Sequence, residues 1–234
     1  VLPDESGPKA MLADTGTINC QVFESDWERV LPNGTRYPVT VPGKYEAYSG
    51  EGVSLVTTLP DEVEDQTWLC FQGHWQDMEF YIDGSLRERY STKDTRPFGR
   101  NSAIAYVFVE LSREDAGKTL KVITNSESSY SGTMNTVYIG DKFGIWVTFL
   151  DWYGSSLLLE GSMLLLAIVG IGLCLILMAC YRKNFDLLYM CFGVFFAATW
   201  LLSETEFRQL LFSNVSVVTV FTFVSLMLLP ISIV

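Results

Sequence analysis

Apolar positions follow two rhythms along this chain. Up to about residue 150 they come in short bursts rich in Val, Ile, Thr, Phe, Tyr and Trp, broken by Gly, Pro, Asp and Asn, which is the pattern of strands and turns. Beyond about residue 155 they merge into long unbroken runs. The bursts GTINCQVF, YPVTVPG, GVSLVTTLP, TWLCFQG, DMEFYIDG, SLRERYS, SAIAYVFVELS, KTLKVITNS and FGIWVTF are candidate strands between Thr15 and Phe149, with no strong helical pattern among them. In EFYIDGSLRERY, Asp83 and Gly84 form the pair favoured in a two-residue hairpin loop, where positive φ is needed. SREDAGKTLKV repeats the idea, with a polar turn from Ser112 to Gly117 leading into a strand. Such segments suit an antiparallel β-sandwich of jelly-roll type over residues 15–150, with residues 1–14 as a linker.

The runs decide the second part. From Leu157 to Tyr181 there is one charge, Glu160, in a stretch longer than the roughly 20 residues that cross ~30 Å of hydrocarbon. LLYMCFGVFFAATWLLS follows at 187–203, and a third run starts at Val215 and continues to Val234. Each run taken singly also fits the buried core helix of a soluble protein. Three in succession, separated by short polar joins, point to a partial transmembrane bundle with helices at 157–181, 186–206 and 215–234. The lipid bilayer is then a partner.

Charge divides the chain at the same place. Residues 1–156 hold 13 of the 16 Lys/Arg and 23 of the 27 Asp/Glu, so nearly all of the net charge of −11 lies there. An acidic surface of this kind repels phosphate backbones and disfavours nucleic acid as a partner. Arg182 and Lys183 occupy the tight link between the first two runs, and Lys/Arg near span ends favour the cytoplasmic side. The acidic module is therefore expected outside the cytoplasmic membrane of a multi-pass protein. The start at Val1 without a leader, and the stop inside an apolar run, suggest that both ends are cut.

The charges of SETEFRQ sit at the expected outer end of the second span, just past Trp200. Glu204 and Arg208 are four apart and can pair on a continuing helix, which leaves Glu206 on another side. One reading is a polar helix end with a weak exposed pair. The other is a coupling segment in which Glu160, Glu204, Glu206 and Arg208 touch the sandwich and pass its movement to the helices.

Chemistry in the outer module points to binding rather than catalysis. His74 is the single histidine, no hydrolase, zinc-protease or phosphate-loop motif occurs, and no metal or cofactor is expected. Trp75, Gln76, Asp77, Tyr90, Arg96, Phe98 and Arg100 fall at strand ends or in the loop after the hairpin. They combine aromatic faces with amide, carboxylate and guanidinium groups, as a small polar molecule or carbohydrate would need; core packing for Trp75 and an acid partner for Arg96 are the structural alternatives. Cys20 and Cys70 are the only cysteines of the module and form either a disulfide or two buried free thiols. Cys174, Cys180 and Cys191 are packing residues in or beside the runs.

YIDGSLRERY, RPFGRNSAIAYVFVEL, YIGDKFGIW and SETEFRQLLFSNVSV together resemble the amino-terminal halves of bacterial membrane signalling proteins whose carboxy-terminal GGDEF domain makes cyclic di-GMP. The architecture is similar to seven-transmembrane receptors with diverse intracellular signalling modules, in which an extracytoplasmic jelly roll of galactose-binding-like fold precedes the bundle. The resemblance covers most of residues 15–234. It implies a sensory input, a diguanylate cyclase as output and, because such cyclases act as dimers, a homodimer. The chain departs from the pattern in having three runs instead of seven and no GGDEF motif, so cyclase activity is not expected of these residues. The alternatives are a membrane-tethered carbohydrate-binding or carbohydrate-processing surface protein and a transporter subunit, the last disfavoured because ionisable groups are peripheral in the spans.

Overall fold

The computed structural model describes residues 20–96, 99–181, 186–212 and 214–230. The expected linker 1–14, Phe98, the Arg182–Lys183 link and the end of the third run lie outside these residues.

Strands β1 (Cys20–Val22), β6 (Thr67–Gly73), β9 (Ala105–Leu111) and β12 (Tyr138–Asp141) form one sheet in the order β1-β12-β6-β9. A second sheet has the order β3-β2-β5-β10-β7-β8, from β2 (Trp27–Val30), β3 (Arg36–Val39), β5 (Val53–Thr58), β7 (Asp77–Ile82), β8 (Ser85–Tyr90) and β10 (Thr119–Asn125). β4 (Gly43–Lys44) and β11 (Thr133–Met134) pair separately. Strand alternation builds the core between the sheets. Leu69 and Phe71 of β6 and Val107, Val109 and Leu111 of β9 face Leu55, Met78, Phe80, Leu120 and Val122 of the larger sheet, all buried. The expected sandwich is present. At the tip of the β7–β8 hairpin Asp83 and Gly84 both have positive φ, 46° and 79°, as their identity predicts.

The smaller sheet is unusual in burying both faces. Trp68, Cys70, Tyr106, Phe108 and Tyr138 point away from the sandwich core and form a second cluster with Ile145 and Phe149. Those two residues belong to helix α1 (Lys142–Tyr181), 40 residues without a break. FGIWVTF is therefore not a ninth strand but the first turns of α1. Ile145, Trp146, Phe149, Tyr153 and Leu157 recur at helical spacing on the face toward the sheet, and Asp141 caps the start by accepting from Gly144 N–H at 2.7 Å.

Pairing fixes the direction of α1. Asp141 lies opposite Thr67, and Thr67 opposite Leu111, so α1 leaves the sandwich at that end and runs back along the sheet toward Gly73 and Ala105. Lys142 lies over Trp68, Trp146 beside Phe108, and Phe149 beside Tyr106 and Tyr138, in that order. At 1.5 Å per residue the first ~16 residues match the ~23 Å of a seven-residue strand, and the remaining ~24 extend about 36 Å beyond it, enough for a bilayer core. The β6–β7, β8–β9 and β10–β11 loops consequently lie at the end of the sandwich that faces the apolar helices. The β5–β6 loop lies at the opposite, distal end.

Helices α2 (Asp186–Glu204), α3 (Arg208–Leu211) and α4 (Val215–Leu228) follow. α1 and α2 are long and apolar enough to cross a membrane, and both are mostly exposed, unlike core helices of a soluble protein. α4 is apolar but has 14 residues; Asn214 caps it by accepting from Ser216 and Val217 N–H. α2 packs between α1 and α4. Gly170 of α1 permits the close approach to α2, because a Cβ there would lie 2.8 Å from Cys191 Sγ.

Candidate functional site at the joint between sandwich and helices

The joint has an apolar and a polar part. The apolar part is aromatic: Tyr106 and Phe149 have ring centroids 4.7 Å apart, Tyr138 and Phe149 5.4 Å, and Phe108 and Trp146 5.5 Å. The Lys142 ammonium sits 4.8 Å from the Trp68 ring centre. Phe207, from the turn between α2 and α3, is buried against Trp146 in the same cluster. Two separate parts of the helical region thus press on one sheet face.

The polar part is built on Glu206 and Gln209. One oxygen of the Glu206 carboxylate accepts from Tyr106 O–H at 2.8 Å and from Gln72 Nε2 at 3.0 Å. Gln72 Nε2 also reaches the Tyr106 hydroxyl oxygen at 3.2 Å. Burial, with the Glu206 carboxylate beside it, pushes the Tyr106 phenol far above its ordinary range, so it remains a donor. Gln209 meets the backbone of the same tyrosine, its Oε1 accepting from Tyr106 N–H and its Nε2 donating to Tyr106 C=O.

A second set of bonds lies behind Gln72. Asn135 Nδ2 donates to Gln72 C=O at 3.0 Å and lies 2.7 Å from His74 Nδ1. The carbonyl can only accept, so the amide nitrogen must face this way, and its other hydrogen goes to His74. His74 Nδ1 is therefore an acceptor and the imidazole neutral. Burial pulls its pKa down; the Glu206 carboxylate acts to raise it and the Arg208 guanidinium to lower it. Its ring stacks on Tyr130 at 5.7 Å.

The expected ligand contacts Trp75, Gln76, Asp77, Tyr90, Arg96 and Arg100 all fall at the helix-facing end, but most of their polar atoms hold loops together. Gln76 is fully buried and donates to Thr133 C=O at 3.2 Å; Asp77 accepts from Ser102 O–H; Tyr90 O–H donates to Ala103 C=O at 2.6 Å. Trp75 has φ +54°, its carbonyl accepts from Ser126 O–H, and its ring lies 6.4 Å from Phe223 of α4. Arg100 is exposed and 3.7 Å from Glu127. Arg96 is half-buried, and its Nη1 has no partner among the described residues.

Of the expected coupling residues, Glu206 makes the contact. No ion pair joins Glu204 to Arg208: Glu204 is exposed, and Arg208, buried, reaches the Glu204 backbone carbonyl at 3.4 Å. The reason is that α2 ends at Glu204 and α3 starts at Arg208, so the continuous helix needed for an i,i+4 pair is broken there. Glu160, in α1, has Oε2 buried without a partner among the described residues and does not join the Glu206 network. Gln72, Tyr106, Asn135 and Gln209 carry no local signal that singles them out in the sequence; the SETEFRQ segment contains Glu206, whose sandwich partners Gln72 and Tyr106 lie 134 and 100 residues away along the chain.

Cys20 and Cys70 are both free thiols, not a disulfide. Strand β12 lies between theirs, with Cys20 opposite Gly140 and Cys70 opposite Tyr138. Two strand spacings, about 9.5 Å, exceed the roughly 4.4–6.8 Å between Cα atoms of a disulfide. Burial pushes both thiols up. At the distal end an open groove of 610 Å³ is lined by Asp61, Glu62, Glu64, Asp65 and Arg113. Arg113 pairs with Asp65 at 2.9 Å, and no cluster able to hold a metal ion occurs among the described residues.

No protein-family model matches the sequence, and no curated protein matches it. Among solved structures, the chain is similar to a GH2 β-galacturonidase from Eisenbergiella tayi bound to galacturonate, at 15% identity and a TM-score of 0.37, over 53% of this chain and 25% of that one. It is also similar to an FMN-binding β-glucuronidase from Facaelibacterium prausnitzii L2-6, at 11% identity and a TM-score of 0.36, over 51% of this chain and 22% of that one. The chain thus spans a quarter or less of the length of these enzymes.

Proposed function

We propose that the chain is the sensory and transmembrane part of a membrane receptor, with the sandwich outside the cytoplasmic membrane and the helices within it. The output in this proposal is a diguanylate cyclase of GGDEF type on the cytoplasmic side, as the sequence resemblance implies, acting as a homodimer. The supporting observation is the bonding of Glu206 and Gln209 to Gln72 and Tyr106. Through it the sandwich holds the helices at two places, by the covalent run into α1 and by the α2–α3 turn. A ligand that favours one arrangement of the smaller sheet then biases the relation of α1 to α2, which is the requirement for coupling between distant sites. Arg182 and Lys183 support the orientation. The loops with Trp75, Arg96 and Arg100 are the proposed contacts for an external small molecule or carbohydrate. The test is cyclic di-GMP in cells carrying the intact receptor with Glu206→Ala or Gln209→Ala. The expected result is an output that no longer follows the stimulus at normal membrane levels; an unchanged output discards the coupling role.

A further inference from the structure

We propose that the joint is an acid-operated latch, in which protonation of His74 breaks its bond to Asn135 and releases Gln72 and Tyr106 from the α2–α3 turn. This inference rests on the receptor reading and names the proton as a stimulus.

Geometry supplies the switch. Both hydrogens of Asn135 Nδ2 are committed, one to the Gln72 carbonyl and one to the lone pair of His74 Nδ1. A proton on Nδ1 would set N–H against N–H at 2.7 Å, so the imidazolium and the Asn135 amide must part. Turning the Asn135 amide over would place its oxygen where Nδ2 now lies, which suits the imidazolium but sets two acceptors against each other at the Gln72 carbonyl. The disturbance therefore reaches Gln72, whose side chain is one of the two donors to Glu206.

The groups that face His74 set the direction. Glu206, from the α2–α3 turn, favours the imidazolium, whereas Arg208, from α3, opposes it, and Tyr130, from the β10–β11 loop, stacks on the ring without charge at neutral pH. Burial is the largest influence and disfavours the proton while the latch is closed. Opening exposes the ring and restores its ordinary affinity, near pH 6.5. Opening thus takes up a proton: acidification below about pH 6.5 favours the open latch, and the effect is complete once the closed form also protonates. His74 is the one side chain here that changes charge in that range at its unperturbed value.

The test is hydrogen exchange of the full chain in lipid nanodiscs, read at the Tyr106 amide, whose partner is Gln209, and corrected for intrinsic pH dependence. Protection at Tyr106 should fall on going from about pH 7.5 to about pH 5, by about tenfold for each pH unit below about 6.5 over which the closed form stays unprotonated. His74→Asn, which offers a neutral oxygen near the place of Nδ1, should keep protection at both pH values. Asn135→Ala should lack it at both. No loss in the wild type, or an equal loss in His74→Asn, overturns the latch and leaves the receptor proposal standing. A latch that opens as described while Glu206→Ala leaves cyclic di-GMP unchanged at normal membrane levels keeps the latch and discards the coupling role of the proposed receptor.

Discussion

Gln209 completes both backbone hydrogen bonds of Tyr106, taking its N–H at 2.9 Å and giving an N–H to its carbonyl at 3.0 Å. Tyr106 belongs to β9, the edge of the smaller sheet, where unpaired backbone groups normally invite another strand. One side chain from the helical region stands in for that strand. Gln209→Ala should leave two edge groups unmatched and cost about 1–3 kcal/mol. Chemical denaturation of the chain in detergent checks this; a change below a few tenths would mean that water replaces the amide without penalty.

Phe149 is 1% exposed and touches Tyr106, Tyr138 and Trp146, whereas Phe143, six residues earlier on the same helix, is 77% exposed. Phe149→Ala should cost about 3–5 kcal/mol through lost burial and the cavity left behind. Phe143→Ala should stay within about 0.5 kcal/mol. Comparing the two melts separates the role of the sheet-facing side of α1 from simple loss of an aromatic ring.

Asp115, 1% exposed at the distal end, accepts two bonds of 2.7 Å from Arg87, two of 2.9 Å from Ser112 and one of 3.3 Å from Lys118. Burial opposes its charge, but the Ser112 hydrogen bonds, with Lys118 and Arg87, outweigh that and hold the carboxyl below its ordinary value. A depressed folded value stabilises the protein above the unfolded pKa of about 3.9 and loses that stabilisation as the pH falls toward the folded one. The stability advantage of wild type over Asp115→Asn should therefore be full at neutral pH and shrink below about pH 4, as read from denaturation midpoints across an acid series.

Both cysteines of the sandwich should react as thiols. Under non-reducing denaturing conditions Cys20 and Cys70 should each take up one alkylating group, and in the folded chain Cys70, fully buried, should be protected until unfolding. Recovery of a linked Cys20–Cys70 peptide would contradict the strand order.

What the sequence made legible was local. Asp83–Gly84 specifies its hairpin because the two residues carry the turn by themselves. TWLCFQG, apolar at successive positions, reads correctly as a strand and hints at a sheet with two buried faces. FGIWVTF misleads because its composition is that of a strand, although Asp141 and the spacing of Ile145, Trp146, Phe149 and Tyr153 carry the helix signal. Short strands such as WERV and YIGD give little signal, since four residues with charges or glycine leave little alternation to see. The joint itself was not legible beyond its segment. Glu206 and Gln209 meet Tyr106 across 100 and 103 residues of chain, and no periodicity reports a contact at that separation.

The unbroken helix α1 has a mechanical consequence. It contains no proline, its first turns are clamped to a sheet by aromatic rings, and its remaining turns are long and apolar enough to cross a membrane. Such a rod transmits torque: a twist of the sandwich about the helix axis is carried toward Tyr181, and a tilt is converted into a sideways displacement that grows with the ~36 Å lever beyond the clamp. No hinge is needed for motion of the sandwich to appear at the far end of α1.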